Sequence, residues 1–147
     1  MNQNYLIRRD TPAWRMQVWI SFGVAVFACL AGLWYLPSAN VDHVGIGIGF
    51  FFCLFATFTL AKTIRDNRDE QVDTGEWVMI AWIGFAASIV LIAYHLTRMN
   101  LDGWVRAYLI VSWLFLVSTA FTLSKTVRDH HEGNLVETAA RGDPKAS

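Results

Sequence analysis

Polar and apolar residues fall in blocks along this chain, with no sign of short-period alternation. Four stretches contain no Asp, Glu, Lys or Arg: 16–41, 43–61, 77–97 and 107–124. A hydrocarbon core about 30 Å thick is crossed by roughly 20 helical residues, and about 17 still suffice. Each block is therefore long enough. Lipid offers the backbone no hydrogen-bond partner, so each block must satisfy its own peptide groups as a helix. The blocks predict helices near 14–36, 43–63, 76–97 and 104–126. The expected fold is all-α, an integral membrane four-helix bundle made of two tandem transmembrane helical hairpins.

The first block is longer than the 7–15 apolar residues of a signal core, and no small-x-small cleavage site follows it. Its end, "LPSAN" (36–40), is a turn signal: Pro37 stops the helix, and Ser38 and Asn40 favour a tight connection. The first block is expected to be a span.

The chain also repeats itself. "FTLAKTIRD" (58–66) returns as "FTLSKTVRD" (121–129), 63 positions later, each time where apolar sequence becomes charged. At the same offset Trp14 matches Trp77, Trp19 matches Trp82, Phe22 matches Phe85, Leu33 matches Leu96 and Phe52 matches Phe115. The expected organisation is an N-terminal segment (1–13), a first two-helix repeat (14–66), a polar linker (67–76), a second repeat (77–129) and a tail (130–147) that is flexible beyond a short helix. Each unit enters and leaves on the same side. The units are thus parallel repeats about an axis along the membrane normal, unlike the inverted repeats of many transporters.

Charge decides the orientation. Arg8, Arg9 and Arg15 precede the first helix; Lys62, Arg65 and Arg68 follow the second; Lys125, Arg128, Arg141 and Lys145 follow the fourth. Only Arg98 and Arg106 lie on the opposite side. Positive residues favour the cytoplasmic side, so both termini and the 67–76 linker are expected there. Trp14 and Trp77 then stand at the inner boundary, and Trp34 and Trp104 near the outer one, where indole rings favour the headgroups. Trp19, Trp82 and Trp113 lie deeper and are expected to pack between helices.

Composition agrees. Hydrophobic residues make up 54% of the chain and charged residues 16%, against about a quarter charged in soluble proteins. The formal net charge is zero, which gives no basic field for nucleic acid. Cys29 and Cys53 sit inside apolar blocks without a companion ligand, and read as small buried hydrophobes.

The duplicated "KTIRD"/"KTVRD" after an aromatic-rich second helix, with "GLW" (32–34) closing the first, resembles the YiaA/YiaB family of small inner-membrane proteins. The resemblance covers 14–132 and implies two copies of a two-helix domain in a bacterial inner (plasma) membrane. It implies no reaction and no ligand. "AYH" (93–95) stands near the position that "GLW" holds in the first repeat.

The cassette residues Lys62, Thr63, Arg65 and Asp66, with Lys125, Thr126, Arg128 and Asp129, are the candidate interaction or anchor site. One reading is a helix stop. Cations complement a helix C-terminus and an anionic leaflet, Lys62/Asp66 and Lys125/Asp129 share a face at i,i+4, and the threonines can bond back to the preceding turn. The other is a specific contact, between repeats or with a partner, because Thr and Asp keep register twice. Gly45 and Gly49 have the small-xxx-small spacing of close helix packing, for the bundle itself or a homodimer; Ala28/Gly32 and Gly84/Ser88 are weaker cases. His43 and His95 near the outer surface could bridge a haem or metal. His130 and His131 form an acidic-histidine cluster with Asp129 and Glu132, but adjacent helical side chains diverge. Isolated histidines are more often interfacial polar groups, so no metal or cofactor is expected.

No ionisable residue stands at mid-membrane depth, and no nucleophile–base pair, phosphate loop or carboxylate pair is evident. An enzyme is not expected. The sequence favours a structural, accessory or interaction protein whose partners are membrane lipids and a second copy or another membrane protein. A homo-oligomeric channel or small-solute carrier is the alternative, and a haem- or metal-binding redox subunit the third reading.

Overall fold

A computed structural model describes residues 11–36, 40–67 and 73–140. They form four helices: α1 (Pro12–Trp34), α2 (Asn40–Asp66), α3 (Gly75–Arg98) and α4 (Gly103–Ala140). The expected turn at Pro37 and Ser38, the cations Arg8, Arg9, Arg68, Arg141 and Lys145, and the linker's centre lie outside the described residues. All four helices are long and apolar enough to cross a membrane.

Both repeats start with the same device. The Thr11 hydroxyl accepts the backbone N–H of Trp14 at 3.2 Å, and the Thr74 hydroxyl accepts that of Trp77 at 3.4 Å. Each threonine satisfies a donor that the first helical turn would leave orphaned, and Pro12 supplies a φ preset for the first position of α1. The first part of the tail is the end of α4. Beyond Asp129, the counterpart of α2's last residue, α4 continues as helix to Ala140.

The tandem hairpins do not pack as hairpins. α1 lies chiefly against α4, α2 chiefly against α3, and α2 and α4 run side by side between them, while α1 and α2 touch little. Each repeat therefore buries its apolar face on the other repeat, about a pseudo-twofold axis between α2 and α4. Central and peripheral helices differ accordingly: 39% of the apolar span is buried in α2 and in α4, but 22% in α1 and 17% in α3. The core gathers Cys29, Ile46, Phe50, Cys53, Ile92, Leu109 and Trp113. The Trp113 indole N–H meets the Cys53 sulfur at 3.3 Å. Trp19 and Trp82, expected between helices, instead face outward and are more than half exposed. Lipid is as apolar as a helix interface, so an indole is stable on either face and its depth does not decide its side.

Association in lipid depends on van der Waals approach, and glycine sets it at the turn end of the bundle. A Cβ on Gly45 would lie 2.6 Å from His95 Cε1, and one on Gly49 would lie 2.9 Å from Ile92 Cγ1, so α2 and α3 meet closely there. Across the pseudo-axis, a Cβ on Gly32 would lie 2.8 Å from Tyr108 Cε1, where α1 meets α4. Gly84 faces open space, and its expected packing role falls away.

Candidate functional site

The cassettes close the end of the bundle at which α2 and α4 leave the spans, opposite the end where α1 finishes and α2 begins. Helical spacing sorts each into faces. Leu60 and Thr63 of α2, and Leu123 and Thr126 of α4, point into the bundle and are buried; Lys62 and Lys125 point outward. The Thr63 hydroxyl accepts the indole N–H of Trp77 at 3.1 Å, which fastens α3 to α2.

Arginine and aspartate join the two repeats. Arg65 Nη2 lies 3.5 Å from Asp129 Oδ1, and Arg128 Nη1 donates to Asp66 Oδ1 at 2.5 Å. Arg65 also reaches the Lys125 carbonyl at 3.4 Å. The arrangement is self-complementary: a residue of the first cassette meets its neighbour's counterpart in the second, and the reverse. That is the signature of a twofold interface, here within one chain. The halves are unequal. Asp66 is 18% exposed and Asp129 41%, so the shorter pair holds the drier carboxylate, although its arginine is the more exposed of the two. The i,i+4 expectation for the lysines is thereby altered, because each carboxylate turns to an arginine of the other repeat.

Above the clasp, Phe22 and Phe58 meet edge to face at 6.1 Å, and Phe85 and Phe121 repeat the contact at 5.9 Å. These rings join the two helices of one repeat near the cassette end. The threonine caps were readable in principle, since Asp-Thr-x-x-Trp occurs at 10–14 and again at 73–77. Hydropathy blocks hide such a motif because it straddles a block edge.

The other candidates are not assembled into a site. His95 packs over Gly45 and meets Tyr94 edge to face at 5.8 Å. Among the described residues, no three His, Cys, Asp or Glu side chains converge to hold a metal ion. His131 and Glu132 have side chains outside that description. The interior hydroxyls bond within their own helices: Thr57 to the Cys53 carbonyl at 2.7 Å, Ser88 to that of Phe85 at 2.7 Å, and Thr119 to that of Phe115 at 2.9 Å.

No curated protein and no solved structure matches the chain. The family profile described as the yiaA/B two helix domain matches it twice, over residues 14–66 and 77–129. Both matches end on the aspartate of a cassette, so each copy supplies one Arg–Asp half of the clasp, and the chain belongs to the yiaA/B two-helix domain family.

Proposed function

We propose that this multi-pass membrane protein is a non-catalytic structural or accessory component of the bacterial inner membrane. Its cassettes lock two repeats into one body and hold a cytoplasmic face for a membrane-protein partner or a second copy. The reciprocal Arg65–Asp129 and Arg128–Asp66 pairing carries this reading. A positive-inside anchor needs charge alone, whereas a self-complementary clasp needs these side chains in register. The channel reading draws no support from Thr57, Ser88 and Thr119, whose hydroxyls are each taken up by a carbonyl of their own helix.

The test is the double variant Arg65→Lys/Arg128→Lys. Lysine keeps the charge but lacks the planar fork that holds a carboxylate. Insertion and orientation are expected to persist while thermal stability and co-purifying membrane proteins in gentle detergent decline. A double variant identical to wild type in all four respects reduces the cassette to a stop signal. Orientation has its own test, after Cys29 and Cys53 are replaced. Cysteines at Ser38 and Asp102 should react with an impermeant thiol reagent on intact cells, and those at Asn67 and Ser147 only after lysis; labelling of Asn67 on intact cells reverses the topology.

A further inference from the structure

At the cassette end α2 and α4 leave a wedge on each side of their contact, one bearing Phe58 of the Phe22–Phe58 pair and the other Phe121 of the Phe85–Phe121 pair. Both wedges are grooves. One, of about 370 Å³, is lined by Phe58, Ala61 and Lys62 of α2, by Val127 and Arg128 of α4, and by Trp19 of α1. The second, of about 190 Å³, is lined by Phe121, Ser124 and Lys125 of α4 and by Ala61, Ile64 and Arg65 of α2. A shift of 63 positions carries the second set onto residues that all line the first. Helical spacing explains the match: each helix offers one face at i, i+3, i+4 to its own groove and another to its twin's.

Each groove has one chemistry. An aromatic ring, Ala61, an aliphatic side chain and the small hydroxyl residue Ser124 form the inner part, continuous with surface that faces lipid. An arginine of the clasp and an exposed lysine form the mouth. In the clasp the two arginines balance the two aspartates, which leaves Lys62 as surplus charge at one mouth and Lys125 at the other. On the first side a further groove holds Arg15, whose buried Nε has no partner among the described residues, beside Trp19 and Val127. Apolar walls with a cationic rim, at the depth where the spans become charged, match one acyl chain beneath one phosphate. A soluble anion would leave the apolar part empty.

We propose that the protein carries two pseudo-symmetric sites for anionic phospholipid, one in each wedge. The phosphate rests on Lys62 or Lys125 beside the clasp arginine, and an acyl chain runs along Phe58 or Phe121. The sites do not depend on which side of the membrane the cassettes face. Nor do they depend on the accessory role, since a lipid is bound whether or not a protein partner is.

Native mass spectrometry of the full chain in gentle detergent, titrated with phosphatidylglycerol or phosphatidylcholine, provides the test. Wild type should retain two phosphatidylglycerol molecules in preference to phosphatidylcholine. Lys62→Gln or Lys125→Gln should weaken one of the two by about fivefold, the effect of one cation near an anionic headgroup. The double glutamine variant should weaken both, and Lys62→Arg/Lys125→Arg should restore them. Without lipid, the double glutamine variant should melt as wild type does, which separates lost binding from lost fold; if it does not, the comparison passes to wild type against the double arginine variant with the two lipids. Equal retention of the two lipids, or undiminished binding by a folded double glutamine variant, would overturn the proposal. So would inorganic phosphate that raises the melting temperature as far as phosphatidylglycerol does.

Discussion

The two ends of the bundle treat the repeat differently. At the cassette end the pseudo-symmetry is kept residue for residue: Arg65 and Asp66 against Arg128 and Asp129, Phe22–Phe58 against Phe85–Phe121. At the turn end identity is lost but volume is kept. The first repeat's α2 supplies glycine where α3 supplies the His95 ring; on the other side α1 supplies Gly32 where α4 supplies the Tyr108 ring. Gly45 and Tyr108 are counterparts, and so are Gly32 and His95, so ring and glycine have exchanged partners between the two interfaces. Van der Waals packing asks only that a large group face a small one. A charge-assisted bond asks for a named donor and acceptor at fixed geometry, so those residues recur unchanged.

The exchange is the more fragile half. Gly45→Leu or Gly49→Leu should destabilise the protein by about 2–3 kcal/mol, because the added side chain would overlap the His95 ring or the fully buried Ile92 side chain. Thermal unfolding and particle size in detergent measure it; two variants that match wild type in both would remove the close contact. A sharper form transplants one interface onto the other. Gly45→Tyr should be as damaging as Gly45→Leu, and adding His95→Gly should recover about half of the loss or more. No recovery would mean that the two interfaces are not volume counterparts.

The clasp comes next. Its side chains are partly exposed, so solvent screens each pair, and Arg65→Lys/Arg128→Lys should lower stability by about 1–2 kcal/mol in total. The inequality of the halves predicts an order: a double-mutant cycle on Arg128 and Asp66 should return more coupling energy than one on Arg65 and Asp129. The reverse order would show that the shorter contact is not the stronger one.

Trp77→Phe removes the indole donor from the buried Thr63 hydroxyl and should destabilise by about 1 kcal/mol, with Thr63→Val largely suppressing that difference. Additive effects of the two changes would disprove the bond. Smallest of all, Trp82→Leu should shift stability by less than about 0.5 kcal/mol, since its ring faces outward. A loss as large as that of Trp113→Leu would place Trp82 inside the bundle.

Where the spans lie, and that they are duplicated, was legible because charge is nearly forbidden in hydrocarbon and the cassettes sit at the limits of that rule. Which helix packs on which was not. A soluble helix announces its buried face by polar residues on the other; here lipid-facing Phe27 and Phe51 are as apolar as core-facing Phe50 and Leu116. The sequence implied two tandem hairpins without saying which helices pack together, and the helices cross-pair between repeats. The site was half legible. A cassette in register twice pointed to a contact between repeats, yet the pairing of Arg with Asp across the axis, in place of Lys with Asp along one helix, depends on the α2–α4 alignment. The length of α4 was hidden by Gly133 and Asn134, which read as helix breakers and lie within it.

Cross-pairing also sets an order of assembly. Chains are made from the N-terminus, and α1 finds its main neighbour in α4, the last of the four helices to emerge. The Tyr108 hydroxyl bonds the Ala28 carbonyl across 80 positions of sequence. Until that last span is inserted, α1 must wait in lipid with its packing face uncovered, and the first two helices have no stable product to form. A ribosome stalled after the first repeat would leave an open pair of helices whose natural complement is the second repeat of another chain. Two nascent chains that meet at that stage can exchange repeats and finish as an interlocked dimer with the same clasps.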